Sequence, residues 1–69
     1  MNEQLKDFVK KTFNLDEADI KRMSDAEYDE LYEKAMAQEE ILAVRYSNGG
    51  NKELELAADF VDYLYGQYE

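Results

Sequence analysis

Neither cysteine nor histidine occurs anywhere in this 69-residue chain. Disulfides and the usual zinc sets are therefore excluded, and a chain this short lies near the lower limit for folding without such staples. Its core must come from side-chain packing, or be completed by a partner or a second copy. The material for packing is present, since 45% of the residues are hydrophobic and 13% aromatic, richer than a disordered segment. With no proline and three glycines, long regular elements are favoured over loops. A single ordered domain over residues 1–69 is expected.

Apolar spacing assigns the elements. Leu5, Phe8, Val9 and Phe13 recur as one face of a helix over 3–12, with Asn2 as its N-cap, Lys10 and Lys11 near its C-terminal end, and Asn14 as its stop. Asn14 and Glu17 have the spacing of a capping box for a short turn near 16–22, tied to the core by Ile20. A second box, Ser24 with Glu27, opens the longest segment, 25–46. There Tyr28, Leu31, Tyr32, Ala35, Met36, Leu42, Ala43 and Tyr46 keep helical spacing, and Glu30 and Lys34 form an i,i+4 pair. The final segment, 52–66, begins at Asn51 and places Leu54, Ala57, Ala58, Val61, Leu64, Tyr65 and Tyr68 on one face. Leu56, Phe60 and Tyr63 make a flanking stripe, and Gly66 marks expected fraying. That apolar arc is wider than one core contact needs.

The stretch SNGGNK, residues 47–52, admits two readings. As a hairpin turn it would join strands within 41–56 and make the fold α+β. As a helix stop, Gly49 or Gly50 supplies a left-handed cap and Asn51 starts the next helix. The loop exceeds the two residues of a tight primed turn, and a lone two-stranded hairpin is marginal in water. The expected fold is all-α: a small three-helix bundle with a short extra helical turn.

Net charge is −9, unevenly spread. Residues 1–23 balance Lys6, Lys10, Lys11, Lys21 and Arg22 against five acids, so the whole excess falls on 24–69. Such a surface repels nucleic acid and anionic lipid and attracts a basic partner. Direct DNA reading by a helix-turn-helix is disfavoured, because the helices that would supply recognition are the acidic ones. No apolar run approaches the roughly 20 residues of a membrane span. The first residues lack the apolar stretch of a signal peptide. A cytoplasmic location is the expectation.

The local chemistry is sparse. SNGGNK lacks the strand, the glycine register and the Lys-Ser/Thr pair of a phosphate loop. Asp25, Asp29 and Glu33 fall four apart along one helical edge, and Glu55, Asp59 and Asp62 form a similar edge, but neither matches a calcium loop. Without histidine or cysteine the commonest bases and nucleophiles are missing. The chain therefore reads as a non-enzymatic protein with no catalytic residue, cofactor or metal.

Six tyrosines lie among the acidic residues, and a small bundle cannot bury six rings. Exposed tyrosine is a common interface anchor, and Tyr63, Tyr65 and Tyr68 are the expected exposed group. Together with Asp25, Asp29 and Glu33 they make the candidate partner-binding set. The leading reading is a protein-interaction or regulatory module whose partner is another protein, a basic one being favoured by the charge. The alternatives are an acidic nucleic-acid mimic, in effect an antitoxin-like inhibitor of a basic nucleic-acid-binding protein, and a structural oligomerising subunit such as a homodimer. No motif ties the chain to a family.

Overall fold

The computed structural model describes residues 1–47 and 50–68, the side chain of Tyr68 excepted. Four helices follow one another: α1 (Glu3–Phe13), α2 (Glu17–Lys21), α3 (Asp25–Arg45) and α4 (Lys52–Tyr68). Among the described residues there is no strand, and the fold is a small all-helical bundle. The hairpin alternative for 41–56 does not form. Ile41–Arg45 continue α3, and Lys52–Leu56 open α4. Leu42, only 1% exposed, gives this stretch a helical anchor in the core.

Caps set the boundaries. The Asn2 side chain accepts from the Leu5 amide at 2.8 Å, and the Asn51 side chain accepts from the Glu53 amide at 2.8 Å. Ser24 and Glu27 cap α3 reciprocally, the Glu27 amide donating to Ser24 Oγ at 3.3 Å and the Ser24 amide to Glu27 Oε1 at 3.2 Å. For α2 the box is shifted from Asn14 and Glu17 to Asp16 and Asp19, with bonds of 2.9 and 3.2 Å. The cause is Asn14 itself. It ends α1 in the left-handed conformation (φ 59°, ψ 39°), its amide bonded to the Lys10 carbonyl, and so cannot also start the next helix.

At the other junction Tyr46, not a glycine, is the C-cap of α3. Gly50 (φ 74°) reverses the chain just ahead of Asn51, and Gly49 lies outside the described residues. Gly66 does not end α4, which runs on to Tyr68.

All four helices feed one core, formed by Leu5, Phe8, Val9, Ile20, Leu31, Ala35, Leu42, Ala57, Phe60 and Leu64. Among the described residues no polar or charged side chain is buried. The Phe60 ring is fully enclosed, 5.3 Å from Phe13 and stacked on Tyr63 at 6.5 Å. Both α1 and α3 make their principal contacts with α4, so two neighbours within the chain cover most of the described part of its wide apolar arc, Tyr65 remaining exposed. The last turns of α3 do not overhang the bundle, since Leu42 is buried and Tyr46 packs on the core.

Candidate functional site

Helix α3 spans about 32 Å at 1.5 Å per residue, close to the longest dimension of the molecule, 36 Å. Its inner face carries Leu31, Ala35 and Leu42. Stepping four residues at a time along the helix gives the row Asp25, Asp29, Glu33, Ala37, Ile41, Arg45, every member of it exposed. Each step turns the row by about 40°, so it crosses the outward face obliquely. The adjacent row ends in Met36, Glu40 and Val44, also exposed. The outward face is thus acidic in its first half, and in its second half Met36, Ala37, Ile41 and Val44 surround the single carboxylate of Glu40, with Arg45 at the end. Met36 is 48% exposed, Ile41 52% and Val44 76%.

The periodicity reading grouped Met36 and Ala43 with Leu31, Ala35 and Leu42 by helical spacing, and the structure separates them. Met36 lies one residue, or about 100°, beyond buried Ala35, enough to turn it off the inner face. Ala43 is exposed for the same reason, next to buried Leu42. Ile41, Val44 and Glu40 belonged to no predicted site. The signal for them was available: two large apolar residues that fit no inner-face spacing, on a helix whose core positions were already filled.

Among the described residues Asp25, Asp29, Glu33 and Glu40 have no ion-pair partner. Lys34 is engaged with Glu30 at 3.4 Å. Among the described residues the acidic row therefore presents carboxylates that are not engaged in an ion pair. No group of three or more acidic side chains among the described residues converges as metal ligands would, because successive carboxylates on a straight helix point outward, a turn apart.

The tyrosines divide. Tyr65 is 55% exposed on α4. Tyr63 is half-buried, stacked on Phe60 rather than standing in solvent, because it belongs to the stripe that meets the core. The side chain of Tyr68 lies outside the described residues. Tyr63 instead lines an open groove of about 480 Å³ with Ile20, Met23, Tyr28 and Gln67, and Lys21 and Asp25 complete the lining. Asp25 and Tyr63 are the two predicted site residues brought together there, and Asp29, Glu33 and Tyr65 are not part of it.

The Tyr28 hydroxyl donates to the Leu64 carbonyl, joining the start of α3 to the end of α4. Burial pushes the Tyr28 phenol above its ordinary value of 10.0, with Tyr63 and Tyr32 adding to it. Burial raises Tyr63 too, and the charge of Glu17 adds to it. Both rings are neutral near pH 7 and offer hydroxyls rather than phenolates. Glu17 accepts from the Met1 amino group at 3.1 Å, and that bond draws its carboxyl below the usual 4.5.

Among the described residues no helix is long and apolar enough to cross a membrane. Comparison with protein families, with curated proteins and with solved structures yields no match.

Proposed function

We propose that this protein is a non-enzymatic interaction module, working in the cytoplasm, that binds another protein with a basic surface through the outward face of α3. One observation carries the reading. The exposed carboxylates of Asp25, Asp29 and Glu33 have no ion pair among the described residues, and they run directly into exposed apolar side chains. A carboxylate row attracts a basic partner, and the adjoining apolar patch supplies area whose burial stabilises a complex. Tyr65 is a secondary anchor on α4.

The regular spacing of the carboxylates also favours a second reading, mimicry of a phosphate track. Salt separates the two. Binding that depends on charge alone weakens steeply with ionic strength, whereas an interface with an apolar centre resists it.

The test is capture of partners by the immobilised protein, eluted in salt steps, alongside the Asp25→Asn/Asp29→Asn/Glu33→Gln and Tyr65→Ser/Tyr68→Ser variants. An interaction module of the proposed kind holds its partner past moderate salt and loses affinity in the carboxylate variant. Complete release at low salt, together with abolition by the carboxylate changes, would select mimicry. A partner indifferent to both variants would show that neither surface is the contact, and recovery of the protein alone would select self-association.

A further inference from the structure

Resting on the interaction reading, we infer that the apolar half of the outward face of α3 is a docking surface for one class of occupant: a cationic amphipathic helix of a partner protein. Among the described residues Met36, Ile41 and Val44 are the large aliphatic or thioether side chains left at least 48% exposed, and all three are on this one helix within nine positions. Ala37 lies between them and keeps the surface low enough for a helix backbone to approach. From Asp29 to Val44 the two exposed rows run for about 22 Å, some four helical turns. A partner helix satisfies its own backbone hydrogen bonds and can lay an i, i+3, i+4, i+7 ridge into the groove between the two four-residue rows. With no strand among the described residues, an extended peptide finds no sheet edge to extend.

Charge decides what kind of helix fits. Asp29 and Glu33 precede the apolar side chains, and Glu40 stands among them, between Met36 and Val44. Lys34 already faces Glu30, which leaves Arg45 at the far end as the remaining base of α3. A second copy of the chain is a poor occupant in either direction. Antiparallel, with Met36 opposite the copy's Val44, the midpoint sets Glu40 against the copy's Glu40. Parallel, Asp29, Glu33 and Glu40 each meet their own copies. Like charges face to face across an interface cost affinity. An anionic bilayer meets the same carboxylates and is repelled. A helix with aliphatic residues on one stripe and lysine or arginine on its flanks satisfies both halves of the surface.

The experiment uses an 18-residue Leu/Lys amphipathic helix as probe, with two controls: a peptide with glutamate in place of lysine, and a scrambled peptide of the same composition. Affinities are measured at two salt concentrations, and amide shifts of the labelled full chain locate the contact. The Leu/Lys helix is expected to bind and to perturb residues 29–45, and the glutamate peptide to fail. Ile41→Gln/Val44→Gln should weaken binding at least tenfold. Those side chains are solvent-exposed and glutamine is the better helix former, so the variant keeps its fold. Glu33→Gln/Glu40→Gln should weaken it severalfold and flatten the salt dependence, while Asp59→Asn/Asp62→Asn on α4 should leave it within twofold.

Equal binding of the scrambled peptide would overturn the inference, since charge alone would then suffice. Dimerisation that Ile41→Gln/Val44→Gln abolishes would overturn it in favour of a second copy. Contact mapping to Tyr65 and α4, unmoved by Ile41→Gln/Val44→Gln, would also overturn it and leave the interaction reading standing. If no cationic probe binds and the carboxylate variant captures partners as the parent does, both fail together.

Discussion

Tyr28 and Tyr63 show how much a single hydroxyl position can report. Each ring is half-buried against the core, and each phenol is held above its ordinary value of 10.0 chiefly by burial. The sign follows from linkage. A group whose folded pKa is raised contributes stability that is fully present below the unfolded value and is lost as pH rises through the folded one. Alkaline titration followed by phenolate absorbance should therefore show a late limb above pH 10, accompanied by loss of helix. Tyr28→Phe and Tyr63→Phe should each shrink that limb, and a limb unchanged in both would mean that other rings produce it. Tyr28→Phe also removes the bond to the Leu64 carbonyl, a loss of about 0.5–1.5 kcal/mol for an ordinary hydrogen bond.

At the scale of the element, Gly66 sits inside α4 with nothing within 4 Å of where a Cβ would be. A glycine within a helix costs about 0.5–1 kcal/mol relative to alanine, and here no neighbour opposes the change. Gly66→Ala should raise the thermal midpoint by a few degrees and increase helicity at the end of α4, and a lowered midpoint would count against a helix that runs through this position. What the sequence made legible was local. Asn2, Ser24 with Glu27, and Asn51 act on amides two or three positions away, so their spacing in the chain is their spacing in space. Asn14 misled because two helix ends compete for it, and only the backbone angle shows which one won. The apolar arc of α4 misled for a different reason: its width was visible, but one of the two helices that share it, α1, is distant in sequence. Asp25, Asp29 and Glu33 could be placed on one row from numbering alone. Ile41 continues that row by the same numbering, and the structure adds how far it is exposed, at 52%.

For the whole molecule, the core is one apolar cluster with no polar member among the described residues, and Phe60 is at its centre. At about 0.05–0.15 kcal/mol per residue, a chain of this size has a total stability of about 3–10 kcal/mol. Truncating a buried phenylalanine costs about 3–5 kcal/mol. Phe60→Ala removes a ring that contacts Phe13 of α1 and Tyr63 of α4 together, so it should leave the protein largely unfolded at 37 °C. Circular dichroism would check this, and a cooperative melt within a few degrees of the parent would show that the core is divided rather than shared. The outward face of α3 lies outside this cluster, which is why its substitutions can be tested without disturbing the fold.

The position of α4 between its two neighbours has a consequence for how the chain comes off the ribosome. Helices α1 and α3 are made before α4, yet each finds its main packing surface on it. Until Lys52 and the residues after it clear the exit tunnel, Leu5, Phe8, Val9, Leu31, Ala35 and Leu42 have no surface of α4 to bury against. Folding is therefore postponed until α4 has emerged, and a nascent chain stalled before α4 exposes six side chains that the folded bundle hides.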